Sequence, residues 1–537
     1  MAERTSVVVE QLKAAGTEVS KQVPPLLKLG EWYLNTAKTT ANGADFTKAA
    51  GLFNAALMTQ DEIRNEISSH KEWIADERRV IKERVDEIDS WFKTNDKTEE
   101  QYEIKADKMH EVFQDIQDMF VRLVSMLAKE CESRIGQPPC GYAIIALGSV
   151  ARVEATPFLD LEFVILYSDP TIGDKISYFR VLTHFLHLKV VNLGETILPS
   201  LGIEELNDFQ SSNPNGIWFH DSETPRGISF DGAMPWASKT PLGRMATKNK
   251  PALELIRTPE QMAEFQDEEF ALKEGYHLAD IVSRTSLFCG MQVLLDEYND
   301  RVTEKLTTKS RVVKGKTNPT IGCMRGIRQM RDDNDTYAPF GSHLGASLDT
   351  GGIFDAKKEF YRLISLLLSD LGLIFDIRSP SPWQVISELV SQKIIDESEN
   401  ARFKVCLSIA NEIRLKTCIG NNGQKEVFSP VPLSNTEQSI DDTTFVDFDE
   451  DTVVRLLSSS TDISKRCLYF TLKYFRLYEI DTSIFRKHAF PPLNAFVKGV
   501  LYYRLQNFPK ALEWLELIPK DSPKYSDCLD FQGIIYG

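Results

Sequence analysis

The chain has 537 residues, 42% of them hydrophobic and 26% charged, which at about 150 residues per domain suffices for roughly three or four folded units with filled cores. Its 62 basic and 78 acidic residues leave a net charge of −16, so the molecule repels phosphate backbones and broad nucleic-acid binding is disfavoured. The longest apolar stretch, Leu363 to Phe375, is interrupted by Ser365, Ser369 and Asp370 and falls short of the about 20 residues that a bilayer span requires, so no membrane span is expected.

Cys131, Cys140, Cys289, Cys323, Cys406, Cys418, Cys467 and Cys528 are scattered without a Cys-x-x-Cys pair, behind a start, MAERTSVVVEQLK, that is no secretory leader. A reducing, cytoplasmic setting is expected.

In chain order, Pro24 to about Phe120 has a helical pattern. Ile63, Ile67, Ile74, Ile81, Val85, Ile88 and Phe92 recur at three, four or seven on a charged background, which predicts a long amphipathic helix. The stretch before it has the small and aromatic residues of a helical hairpin, in the manner of a degenerate tetratricopeptide unit. Asp96 to Glu100 breaks the pattern, and a further helix is predicted from about Tyr102 to Ser133, ending at the turn GQPPCG.

Beyond that turn the period changes. YAIIAL (Tyr142 to Leu147) and LEFVILY (Leu161 to Tyr167) read as short buried strands. A helix from Ile176 to Asn192 follows, and Ile217 to Phe230 offers two more strand-like fragments. From Pro251 to Cys418 the pattern is helical again, as in a bundle, with a Gly-containing interruption from Gly341 to Gly352. Gly420 to Thr452 is acidic and reads as a solvated spacer. In the last stretch Ala495, Gly499, Tyr502, Phe508, Ala511 and Leu512 fall as in a tetratricopeptide signature. A lone repeat needs other helices, or more chain, to cover its apolar face.

The expected fold class is therefore multidomain α+β, divided as 1–135 helical, 136–250 α/β with a mixed sheet, 251–420 a helical bundle, 421–452 an acidic linker and 453–537 tetratricopeptide-like helices.

The segment ALGSVARVEATPFLDLEFVILYSD, Ala146 to Asp169, carries the chemistry. Asp160 and Glu162 stand two apart on a predicted strand and so project from one face. Two neighbouring carboxylates stay ionised only beside a cation, and a divalent ion with oxygen ligands, Mg²⁺ or Mn²⁺, suits them. Gly148 lets a backbone approach a triphosphate, and Ser149 offers it a hydroxyl and an amide.

The string Gly148-Ser149-x-Ala151-Arg152-x-Glu154-x-Thr156-Pro157-x-x-Asp160-Leu161-Glu162 resembles the polymerase-β-like nucleotidyltransferases. Within them it looks like the nucleotidyltransferase domain of PII uridylyltransferases and of cystathionine-β-synthase-domain signalling proteins. The stretches from Asp355, Lys357, Lys358 and Arg362 to Asn411, Arg414 and Leu415 are similar to the helical substrate-binding domain of that subgroup.

The resemblance implies a Mg²⁺-dependent transferase that moves a nucleoside monophosphate from an NTP to an acceptor hydroxyl and releases pyrophosphate. Asp160 and Glu162 would hold metal, and Gly148, Ser149 and Arg152 the triphosphate. A third carboxylate is implied on a neighbouring strand, with Asp231 preferred and Asp221 its competitor. Lys239 and Arg244 could meet phosphate oxygens. Lys357 and Lys358 either contact nucleotide or acceptor or form a solvated helix start. The flanking helical repeats suggest a protein partner. They also motivate the alternative, a scaffold that keeps the fold without the chemistry.

Three further groups stay open. His184 and His187, at i and i+3, are metal ligands or packing histidines. Arg325, Arg328 and Arg331 form a basic stripe for an anionic acceptor or pair with acids. GSHLGASLDTGG is too irregular for a phosphate loop and reads as a connector.

Overall fold

The computed structural model describes residues 61–196, 226–230, 243–244, 253–310 apart from 275, 318–338, 353–431, 444–486 apart from 447, and 493–536, with 19–40 and a few isolated positions before 61. It is mostly helical with a small mixed sheet, as a multidomain α+β reading requires. The chain divides into two compact units, residues 1–84, 115–302 and 422–424 in the first, and 85–114, 303–421 and 425–537 in the second. Both draw on the long helices near the start, so neither is a continuous stretch of sequence. No helix among the described residues is long and apolar enough to cross a membrane.

In the first unit, helix α1 (Val19–Thr40) buries Leu26, Leu29 and Tyr33 against Ala49, Leu52 and Ala56, the small apolar core expected of a hairpin. The amphipathic pattern becomes α2 (Asp61–Lys93), with Ile67, Ile74, Ile81, Val85, Ile88 and Phe92 all buried. Helix α3 (Glu99–Ile135) follows the predicted break.

The sheet begins with β1 (Tyr142–Ala146), every residue of which is buried. A single-turn helix α4 (Gly148–Ala151) precedes β2 (Asp160–Leu161) and β3 (Phe163–Tyr167). The sequence predicts one strand there, whereas the structure breaks it at Glu162. The reason is pairing. β3 runs antiparallel to β1, with Ile144 opposite Ile165, while β2 lies parallel to β4 (Ser229–Phe230), with Asp160 opposite Ser229. Helix α5 (Ser177–Asn192) lays Phe179 against Tyr142 and Tyr167, ring centroids 5.4 and 5.9 Å away. The remaining strands are β5 (Gly243–Arg244) paired with β6 (Leu253–Glu254), then β7 (Ile256–Arg257) and β8 (Ser286–Gly290). The four-stranded sheet has the order β7-β3-β1-β8.

In the second unit, α6 (Ile321–Tyr337) is capped by Thr320, and β9 (Phe354–Asp355) leads through a wide turn into α7 (Arg362–Ile374). Gly326 of α6 permits close approach, since a side chain there would meet the Asp370 carbonyl and Leu373 of α7. Helices α8 (Pro382–Ser391) and α9 (Glu397–Gly420) complete this core. The acidic spacer is not solvated throughout: β10 (Val427–Ser429) pairs with β9 and with β11 (Thr444–Phe445), and Phe428 is buried. Its last acids cap α10 (Glu450–Leu477), with Asp449 accepting from the Thr452 amide and Glu450 and Asp451 in the first turn, where carboxylates oppose the helix dipole favourably. Helices α11 (Ala495–Arg504), α12 (Phe508–Glu516) and α13 (Tyr525–Tyr536) close the chain, and Gly499 lets α11 meet Leu515 of α12.

A buried charge network marks this unit. Lys105 Nζ lies 2.8 Å from Glu412 and 3.2 Å from Asp89, and Lys416 Nζ lies 2.6 Å from Glu412. Burial alone would raise the Glu412 carboxyl, but the two ammonium groups outweigh it and lower the pKa from 4.5 to about 2. A carboxylate so depressed adds stability above its unfolded pKa and loses it as pH falls through the folded one. Glu412→Gln should cost about 3–5 kcal/mol at neutral pH and flatten the decline of stability between pH 4.5 and about 2. Denaturant titrations of the whole chain across that range test this, and an unchanged acid slope would contradict it.

Candidate functional site

The turn after β1 brings the two halves of the motif together. The Leu147 amide donates to the Glu162 carbonyl at 2.9 Å, which holds the turn beside the start of β3. Gly148 has φ +60, and a side chain on it would overlap the Glu162 carboxylate. The glycine is thus required twice, for its left-handed backbone and for its missing Cβ. The sequence reading left that space to a triphosphate; the structure fills it with Glu162.

The residues between glycine and acids each have a folding task. The Ser149 carbonyl accepts the Glu154 amide at 3.0 Å, and the Val150 carbonyl accepts Gln117 Nε2 at 2.7 Å. Glu154 is wholly buried and takes a hydrogen bond from Arg152 Nε at 2.8 Å, because a carboxylate out of water needs a counter-ion. Arg152, expected on the triphosphate, is committed through this nitrogen to the loop's own interior. Thr156 Oγ1 donates to the Phe158 carbonyl at 2.7 Å. Val153 sits at φ +60, a left-handed conformation that is costly for a β-branched residue.

Asp160 and Glu162 are partly exposed, while Leu161 and Phe163 between and beyond them are buried. The alternation places both acids on the outward face despite the break in pairing. Oδ1 of Asp160 accepts from Ser229 Oγ and, at 2.9 Å, from Gln424 Nε2. Oδ2 faces Arg226 Nη2 at 3.2 Å. The carboxylate is therefore oriented through one oxygen and ion-paired through the other. With the Arg226 side chain 57% exposed, that pair contributes only about 0–1 kcal/mol.

A further layer fixes these partners. The Ser229 amide donates to the Leu159 carbonyl at 3.2 Å, and the Ile228 amide to Glu195 Oε2 at 2.7 Å. Arg78 grips Glu195 through both carboxylate oxygens, with Nη2 to Oε2 at 2.9 Å, donates to the Pro157 carbonyl at 3.0 Å and lies 4.0 Å over the Phe158 ring. The Gln424 amide donates to the Arg226 carbonyl at 2.9 Å.

Sequence reasoning missed Arg78, Glu195, Arg226, Ser229 and Gln424. Arg226 and Ser229 adjoin a predicted strand end, which was a usable signal. Gln424 lies in the polar turn Asn421-Asn422-Gly423-Gln424, which has no period to expose it.

Asp231, Asp221 and Lys239 lie outside the described residues. Arg244 forms part of β5, opposite Leu253, by its backbone. Phe230, just before Asp231, is paired with Leu161. In the second unit Lys357 pairs with Glu426 at 3.2 Å and Lys358 with Asp355 at 3.2 Å, while Arg414 holds Glu426 at 2.7 Å. Asn411 Nδ2 donates to the Leu407 carbonyl. Lys357, Lys358 and Arg414 thus make ion pairs inside their own unit, and Arg362 Nη1 donates to the Tyr337 hydroxyl at 2.6 Å.

Arg325 is buried while Arg328 and Arg331 are exposed, so the three do not form one stripe. His187 is buried with its ring 4.5 Å from Phe230, and burial lowers it to about 4, as for a packing histidine. A different group, Glu66, His70 and Glu130, places ligand atoms within 4.8 Å of one another. Its cation is already internal: Lys189 Nζ contacts Glu66 and lies 2.7 Å from Glu130, and Arg134 reaches Glu66.

With this geometry in view, residues 97–198 match the family described as Putative nucleotidyltransferase DUF294. The match holds Gly148 through Glu162 and supports a nucleotidyltransferase-superfamily domain in this part of the chain. No curated protein matches the chain.

Two substitutions test the turn. Gly148→Ala should destabilise the first unit by at least about 1–2 kcal/mol from its backbone conformation alone, with displacement of Glu162 adding to the loss. Val153→Gly should stabilise it by about 1 kcal/mol. Denaturation midpoints check both, and a neutral Gly148→Ala would contradict the geometry described.

Proposed function

We propose that the chain is a divalent-metal-dependent nucleotidyltransferase that moves a nucleoside monophosphate from an NTP to an acceptor hydroxyl. The observation that carries the reading is the Asp160 carboxylate, partly exposed beside Glu162, oriented through Oδ1 and presented to a cation through Oδ2. The donor set suits Mg²⁺ or Mn²⁺, being carboxylate oxygens on one face with their orientation fixed by neighbouring hydrogen bonds. An ion held by Asp160 and Glu162 would neutralise charge on the phosphate oxygens.

The chain's own groups do the rest by placement. Ser229 and Gln424 hold Asp160 in register, and Arg78 with Glu195 holds the strand that carries Ser229. As the acceptor oxygen bonds to the α-phosphorus, the bond to the β-phosphate oxygen breaks and pyrophosphate leaves. The acceptor's proton passes to a carboxylate. Asp231 is proposed for that role, because Phe230 before it lies alongside Leu161 between the two acids. Lys239 and Arg244 remain proposals for the phosphate oxygens, and a protein partner for the helical flanks.

The second reading, a domain that keeps this shape without transfer, is favoured by the arginine on Asp160. Incubation with each α-labelled NTP, Mg²⁺ or Mn²⁺ and cell extract separates the two. Label transfer by the wild type and its loss, by about 10³-fold or more, in Asp160→Asn with Glu162→Gln is the expected result. Undiminished transfer by the double variant would overturn the proposal, and nucleotide binding without pyrophosphate release would favour the scaffold.

A further inference from the structure

We propose that Arg226 is an internal stand-in for the divalent cation, and that once displaced its guanidinium becomes a ligand of the incoming triphosphate. This rests on the nucleotidyltransfer reading above. Two hydrogen bonds already occupy Oδ1 of Asp160, so Oδ2 is the oxygen at which a cation competes. Among the described residues Arg226 is the cation there, 3.2 Å away.

Its mobility differs along its length. The peptide link that follows Arg226 is held through both of its polar groups, its carbonyl by the Gln424 amide and its N–H, that of Gly227, on the Glu195 carbonyl at 3.1 Å. The side chain is 57% exposed and makes a weak, screened pair. A pinned pivot carrying a loosely held guanidinium can change partner without moving the strand. A doubly charged ion outbids a guanidinium for a carboxylate oxygen, and the released fork of N–H donors matches phosphate oxygens. Metal and triphosphate therefore arrive as one exchange, with the carboxylate passing to the ion and the arginine to the phosphate. No covalent bond is made or broken; the divalent ion and the guanidinium only change partners. The ligand implied is a nucleoside triphosphate chelated to a divalent ion, in preference to either part alone.

The full chain and its Arg226→Ala variant separate these effects, with Arg226→Gln as the second variant should alanine impair folding. Mn²⁺ binding is followed by the electron paramagnetic resonance signal of the free ion, first alone and then with ATP, GTP, CTP or UTP in turn.

Arg226→Ala should bind Mn²⁺ alone about threefold to fivefold more tightly, the size of an exposed ion pair removed, and should bind the Mn²⁺–NTP complex about tenfold more weakly. A merely structural arginine would not tighten metal binding. Unchanged Mn²⁺ affinity with normal NTP binding overturns the stand-in and leaves the nucleotidyltransfer reading in place. Tightened Mn²⁺ binding with no NTP bound by either protein overturns the phosphate role together with that reading. Equal NTP affinity in the two proteins overturns the exchange.

Discussion

Three stretches of chain converge on one carboxylate: Asp160 in the motif, the strand segment from Arg226 to Ser229, and Gln424. A carboxylate has few acceptor directions, and here two are used to set its angle while another is left to a charge. The chemistry proposed for the first unit rests on that division. The Arg78–Glu195 pair acts at one remove, since Glu195 holds the Ile228 amide and so the strand bearing Ser229. The backbone break at Glu162 serves the same end, releasing Asp160 from the main sheet to pair with β4.

The motif's choice of residue types, glycine, arginine, glutamate, threonine and two acids within one short loop, has a mechanical explanation. Gly148 makes room for Glu162, Arg152 neutralises the buried Glu154, and Thr156 ties the loop to the Phe158 carbonyl. Of these charged residues Glu154 is buried, whereas Asp160 and Glu162, like Arg152, are partly exposed. A pattern that reads as a ligand-binding string is thus mostly a folding device that presents two acids.

What could be read beforehand followed periodicity. The buried strands around Ile144 and Ile165, the amphipathic helix with Ile74 and Ile81, and the outward alternation of the acids are all local patterns with a fixed period. The interrupted strand was not readable, because β2 and β3 differ by partner and not by composition. Nor was the strand within the acidic segment: Phe428 gains its place from β9, far away in sequence, and Glu426 from Arg414 on the preceding helix. The family match over residues 97–198 has the same horizon. It contains Asp160 and Glu195 but not Arg78, Arg226, Ser229 or Gln424.

The contact between Asp160 and Gln424 spans 264 residues, and this has a bearing on biosynthesis. At about 5–20 residues per second, the ribosome needs roughly 13–50 s to travel from one to the other. During that interval the nascent first unit carries its principal acid with one fastening missing. Loop closure over such a span is entropically slow to find but only modestly dearer than over a short one. The full set of hydrogen bonds on Asp160 is therefore completed late in the life of each molecule, after residues up to Gln424 have been translated.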